Sequence, residues 1–148
     1  MNHKHRTKFI SKEEAIRERK CFLFDAKGKI LGRFASEIAK VLQGKHKTNF
    51  TPNQNMGDAV VVINVEHLVL TKDKAAQKKY YRHSGHVGAL KEIPYSEIHE
   101  KDPGFPLKNA VKKMLPKTKL GRAQIKNMHL FKGDSHNMQA QKPIPVTI

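Results

Sequence analysis

The clearest pattern along the chain is a three- and four-residue recurrence of apolar side chains at Leu31, Phe34, Ala35, Ile38, Ala39 and Leu42. Arg33, Glu37 and Lys40 fall off that stripe. The spacing predicts an amphipathic helix with one buried face. Gly44 follows as a C-terminal stop, and Lys45, His46 and Lys47 sit at the helix's negative end, where cations are favoured. Ahead of the helix, Cys21, Phe22, Leu23 and Phe24 form a compact apolar run that predicts a buried strand, closed by a turn over 25–28. Behind it, a polar loop over 48–58 holds Pro52 and Gly57. Ala59–Ile63 is then a β-branched run of the kind found in strands buried on both faces. Residues 68–71 read as a further, shorter strand. Strand, helix and strand joined by a crossover of this length predict a parallel pair and an α/β layer.

Weaker patterns fill in the rest. Ser11 followed by Glu14 has the spacing of a capping box and predicts a short helix over 12–20. Another short helix is expected over 94–100. Leu107, Ala110, Val111, Met114 and Leu115 mark a second amphipathic helix, ended by Pro116 and carrying Lys108, Lys112 and Lys113 on its outer face. Residues 120–126 suggest one or two helical turns, and 128–131 a strand. The expected organisation is a basic N-terminal arm with a short helix (1–20), a single α/β domain (21–132) and an extended C-terminal tail (133–148). Residues 1–10, polar and basic, read as an arm that orders on a polyanion.

Charge changes the picture. The 148 residues hold 29 Lys and Arg against 13 Asp and Glu, for a formal net charge of +16. Apolar residues make up 38%, so much of the chain must face water or a partner. Three zones contain many bases and almost no acids: Glu37 is the only acid between Asp25 and Asp58, and there is none between Asp73 and Glu92 or between Asp102 and Asp134. A surface tuned for solubility is one reading, but solubility favours mixed signs. Phosphate contact along a nucleic-acid surface is the other. No apolar stretch approaches the roughly 18 residues of a membrane-spanning helix, and the N-terminus lacks the apolar core of a secretory signal. Glu13, Glu14 and Glu18 argue against a transit peptide. A single cysteine, Cys21, makes no internal disulfide. These features point to the cytoplasm and to no membrane partner.

The segment 78–86 (Lys-Lys-Tyr-Tyr-Arg-His-Ser-Gly-His) is the most distinctive. Aromatic rings stack on unpaired bases while neighbouring cations neutralise phosphates, a pairing common in RNA recognition. In an extended strand, Tyr80 and Arg82 share one face and Tyr81 and His83 the other, so one tyrosine packs inward and the other meets a partner. The alternative is a half-buried strand with a basic outer face. His83 and His86 are too few ligands for zinc. The turn Gly28-Lys29-Ile30-Leu31-Gly32-Arg33 sits where nucleotide-binding loops sit, but matches neither the dinucleotide nor the P-loop spacing. A structural turn is the simpler reading. The basic loop 113–122, after a helix end and a proline stop, is well placed to follow an irregular anionic surface. Nothing calls for a catalytic residue, a metal, a cofactor or a small-molecule substrate.

Five segments, in order, carry a resemblance: Asp25-Ala26-x-Gly28-Lys29-x-Leu31-Gly32-Arg33; Gly44-Lys45-His46-Lys47; Tyr80-Tyr81-Arg82-His83-Ser84-Gly85; Ala110-Val111-Lys112-x-Met114-Leu115-Pro116-Lys117; and Leu120-Gly121-Arg122. Together with the length they resemble the bacterial-type large-ribosomal-subunit protein thirteen family, over about residues 21–143. The resemblance implies a three-layer α/β/α fold around a mainly parallel four-stranded sheet, with extended basic tails. It implies a non-enzymatic component of the large ribosomal subunit that binds 23S-type rRNA, helps early subunit assembly, touches neighbouring ribosomal proteins and is present as a monomer in the ribosome. The RNA-binding positions it implies are Lys45, His46, Lys47, Lys79, Tyr81, Arg82, His83, Lys113, Lys117, Lys119 and Arg122. The chain departs from the family pattern at Cys21, where Trp is usual, at the loop 53–56, at Lys72-Asp73 in place of a Gly-containing turn, at Lys113 in place of Gly, and over 133–138. Two other function classes compete. Saturable nucleotide binding with Mg²⁺ would favour an RNA- or nucleotide-processing enzyme. Preference for one short sequence over rRNA would favour a regulator of messenger RNA or DNA.

Overall fold

The computed structural model describes residues 10–146. The arm read over 1–10 lies outside the described residues except for Ile10, as do the tail's last residues, 147–148. In chain order the elements are α1 (Lys12–Arg17), β1 (Cys21–Asp25), α2 (Leu31–Gln43), β2 (Ala59–Ile63), α3 (Lys74–Gln77), β3 (Lys79–His83), β4 (Leu90–Pro94), α4 (Tyr95–Lys101), α5 (Phe105–Met114), α6 (Lys119–Gln124), β5 (Met128–Leu130) and β6 (Ile144–Val146). Four strands form one sheet in the order β5-β2-β1-β6, parallel throughout. The other two, β3 and β4, make a separate antiparallel ribbon. The expected α/β class with a four-stranded parallel sheet is what the chain adopts.

The apolar periodicity explains the core. Leu31, Phe34, Ala35, Ile38, Ala39 and Leu42 are all buried on α2, and they meet Phe24, Val60 and Val62 of the sheet and Leu107 and Val111 of α5. Val61, on the opposite face of β2, is also fully buried, so the sheet is covered on both sides. Burying each large apolar side chain contributes about 1.5–3 kcal/mol. Helix α2 ends at Gly44, whose φ of 82° is the left-handed conformation a C-terminal glycine adopts readily. Helix α1 forms as its capping box requires: the Glu14 N–H donates to Ser11 Oγ at 3.2 Å, and the Ser11 N–H donates to Glu14 Oε2 at 2.9 Å. Ile10 and Ala15 pack together with Met56, a hydrophobic staple that fixes the helix against the loop before β2.

Helix α1 stops at Arg17, short of the expected residue 20, and helix α3 was not expected. Three larger features also differ from expectation. Residues 68–71 do not extend into a strand. Val69 makes a single parallel bridge to Ile30, because Ile30 leads directly into α2 and Lys72 turns away with a left-handed φ of 56°. Strand β4 was not expected at all. Finally, part of the segment read as a tail supplies the sheet's edge: Ile144, Pro145 and Val146 pair with Phe22, Leu23 and Phe24.

The approach of the loop before β2 to the end of α2 is close. A Cβ on Gly57 would lie 1.8 Å from the Leu42 carbonyl oxygen, whereas one on Gly32 would meet nothing within 4 Å. Gly57→Ala is therefore expected to cost about 2–3 kcal/mol, and Gly32→Ala to add about 0.5 kcal/mol. Opposite shifts of the urea unfolding midpoint would bear this out, and shifts of the same sign would refute it.

Candidate nucleic-acid interface

The eleven expected contact residues divide by environment. Lys45, His46 and Lys47 follow the Gly44 cap, but they do not share one role. Lys45 is exposed. Lys47 Nζ lies 2.7 Å from Asp58 Oδ1, and its side chain is only 12% exposed. His46 Nε2 lies 2.8 Å from Asp58 Oδ2, and its ring meets Phe22 edge-on at 5.9 Å. Asp58 is fully buried and also accepts the Lys20 N–H on Oδ1 at 2.9 Å. Lys47 therefore neutralises a buried carboxylate, which would be costly to leave unpaired.

The ribbon presents its residues differently. Tyr80 faces Phe105 of α5, with ring centroids 5.5 Å apart in an edge-on contact. Burial pushes its hydroxyl up to about 12. Tyr81 points the other way and is 63% exposed. The inner and outer tyrosines are thus assigned as the strand alternation requires. Lys79 Nζ pairs with Glu92 Oε2 at 2.9 Å across the ribbon, and that contact holds its amine above the usual lysine value. Arg82 lies directly opposite Lys91, and His83 opposite Leu90. His83 Nδ1 accepts the Gly85 N–H at 2.9 Å. The connection after His83 turns through Gly85 and Gly88, both left-handed, and leaves Val87 fully exposed at its tip.

Helix α5 joins these parts. Lys113 borders a groove of about 310 Å³ shared with Tyr80 and Tyr81. Immediately after it, Met114, Leu115 and Pro116 border a recess of about 400 Å³ with Lys45 and Leu120. Lys117, Lys119 and Arg122 are exposed around the start of α6. There Thr118 Oγ1 accepts the Gly121 N–H at 3.3 Å. A Cβ on Gly121 would meet the Pro116 carbonyl oxygen at 1.9 Å, so the tight Leu-Gly-Arg turn requires glycine. The fold thus brings Lys79, Tyr81 and Lys113 together at one groove and Lys45 to the neighbouring recess. It directs His46 and Lys47 toward Asp58 instead. Lys78 opens the distinctive segment but is not among the expected contacts; its Nζ sits 5.5 Å from the Tyr80 ring centroid. The usable signal was its place two residues before Tyr80, on the same side of an extended segment.

The turn 28–33 is held by backbone bonds, from the Gly28 N–H to the His67 carbonyl and from the Lys29 N–H to the Ala26 carbonyl. Among the described residues no three His, Cys, Asp or Glu side chains converge to hold a metal, and no helix is long and apolar enough to cross a membrane.

The family model for ribosomal protein L13 matches residues 19–137. The chain belongs to the ribosomal protein L13 family. This is a family of structural, non-enzymatic proteins. It is 47% identical to large ribosomal subunit protein uL13 of Treponema pallidum (strain Nichols) over 142 residues, 96% of this chain and 99% of the relative. It is 48% identical to the protein of that name from Exiguobacterium sibiricum over 138 residues, covering 93% of this chain and 94% of the relative. For that of Thermoanaerobacter sp. (strain X514) the identity is 47% over 135 residues, 91% and 94% of the two chains. The L13 match takes in the Asp58 network, the ribbon and the loop 113–122, and ends before β6.

Within this L13 chain, removing one member of the Asp58–Lys47 pair strands the other. Asp58→Asn and Lys47→Met are each expected to destabilise the fold by about 3 kcal/mol. The double substitution should cost clearly less than the sum. Urea unfolding of the four proteins measures the coupling, and additive losses would mean that the pair does not act as a unit.

Proposed function

We propose that this protein is a structural component of the large ribosomal subunit that binds 23S-type rRNA and helps early subunit assembly. In this reading it resides in the ribosome, in the cytoplasm, as a monomer beside neighbouring large-subunit proteins. The observation that carries it is the set of exposed cations, Lys45, Lys113, Lys117, Lys119 and Arg122, that have no acidic partner among the described residues, with Lys113 sharing a groove with the exposed Tyr81. Acids elsewhere take up Lys40, Lys47, Lys79 and Lys101. A polyanion is the partner that relieves the remaining charge: phosphate contacts release condensed counterions, and that release drives association. Arg82 extends the cationic surface, while Lys47 and His46 contribute by tying the loop that displays Lys45 to Asp58. The names and large-subunit membership of the relatives support the same reading.

Sedimentation of the tagged protein from cell extract is the direct test. Stoichiometric migration with the large subunit, lost on ribonuclease treatment, is expected; a position at the top of the gradient in low salt would refute the reading. At the residue level, replacing Lys117, Lys119 and Arg122 together with Ala should weaken binding to large-subunit rRNA. It should also flatten the salt dependence by a slope of about two to three, one phosphate contact per cation. Thermal stability should stay within about 0.5 kcal/mol of the parent, as these side chains are exposed. An unchanged affinity would remove that loop from the interface.

A further inference from the structure

The groove between the ribbon and α5 has a charge arrangement that the isolated protein does not balance. Lys78 and Lys113 border it together with Tyr80 and Asn109, and no acid does. Lys78 is half-buried over the Tyr80 ring, and burial together with nearby Lys113 and Lys74 holds its amine below the usual lysine value. The Tyr80 hydroxyl is buried without a partner among the described residues. Farther out on the side of the ribbon that carries Tyr80, Arg82 and Lys91 stand directly opposite one another. Like charges paired across strands are destabilising. Glu92, the acid of the ribbon, pairs with Lys79 on the other side.

We propose that this groove is a seat for a single RNA strand, its phosphodiester chain passing Lys113 and Lys78 and continuing to Arg82 and Lys91, with Tyr81 stacking on an unpaired base at the rim. The assignment rests on the rRNA reading above and narrows it to one site and one form of RNA. A strand fits better than a duplex for two reasons. The groove holds only about 310 Å³, and an exposed tyrosine can stack only on a base that is not paired. A strand also suits the site better than an acidic peptide, because it offers phosphates to the lysines and a base to Tyr81 together.

The test uses the full chain and a labelled oligouridylate of about ten nucleotides, with duplex RNA and oligoglutamate as competitors. The parent should prefer the strand over duplex of equal charge. Lys78→Gln combined with Lys113→Gln should lower strand affinity about tenfold and flatten the salt slope by about 1.4, two phosphates on a single strand. Tyr81→Ala should lower affinity about tenfold with the salt slope unchanged. Lys113→Gln alone, at an exposed helical position, controls for folding, and the relief of repulsion should leave its unfolding midpoint unchanged or higher. Unchanged strand affinity in the double variant, preference for duplex, or displacement by oligoglutamate at equal charge would each overturn the proposal. Binding to large-subunit rRNA separates the two readings. Parent-like rRNA affinity in the double variant sinks the groove and leaves the rRNA reading standing, whereas failure of the parent to bind rRNA removes both.

Discussion

The buried carboxylate of Asp58 is the constraint on which the arrangement of this protein depends. It stands just before β2 and ties down three segments that the core alone leaves free. It takes the Lys20 N–H at the entry to β1, and Lys47 and His46 from the loop after α2. Lys47 also reaches the Glu18 carbonyl at the end of α1. The start of both central strands and the end of the main helix are thus held at one ionic centre. A fully buried charge is expensive to desolvate, so it persists only where its partners are fixed as well. Gly44 and Gly57 supply that fixity by letting the backbones close on each other, since a Cβ on either would strike a carbonyl.

This centre explains how a chain of net charge +16 keeps a small core intact. Lys47, which reaches the buried carboxylate, is neutralised there. Many other cations are exposed on short pieces: the α5–α6 turn, the ribbon and the loop at Lys45. Self-repulsion among them costs least where the chain is most solvated. The apolar stripe of α2 and the inner residues of α5 need no help from these cations, so the charged surface can be organised for a partner rather than for the fold.

Much of the architecture was legible because it rests on local rules. The stripe from Leu31 to Leu42, the glycine that stops it, the Ser11–Glu14 box and the Ala59–Ile63 run each announce themselves within a few residues. What was not legible depends on distant pairing. Leu-Lys-Glu-Ile-Pro becomes β4 only because β3 lies beside it, and Ile-Pro-Val becomes β6 only because the edge of β1 is open. Conversely, Leu68 and Val69 look like a strand but have only Ile30 to bridge. The interface follows the same division. The pattern of Lys-His-Lys after Gly44 marks cations but cannot separate exposed Lys45 from sequestered Lys47, since the deciding carboxylate is eleven residues on and buried by tertiary contacts. The two tyrosines were distinguishable only in role, and Phe105 decides which one turns inward.

The ribbon and the core follow opposite electrostatic logic, and the contrast bears on function. At Asp58 the buried carboxylate and Lys47 are paired within 3 Å. At the groove, Lys78 and Lys113 share a wall without an acid, and Arg82 faces Lys91. A two-stranded ribbon is marginal by itself in water, so this like-charge pairing is tolerable only because Tyr80 anchors the ribbon on Phe105 and the core behind α5 is already secure. A fold under selection for stability alone would have little reason to place these cations together. In the proposed complex, an anion in the groove offsets this repulsion, so binding there would also stabilise the ribbon.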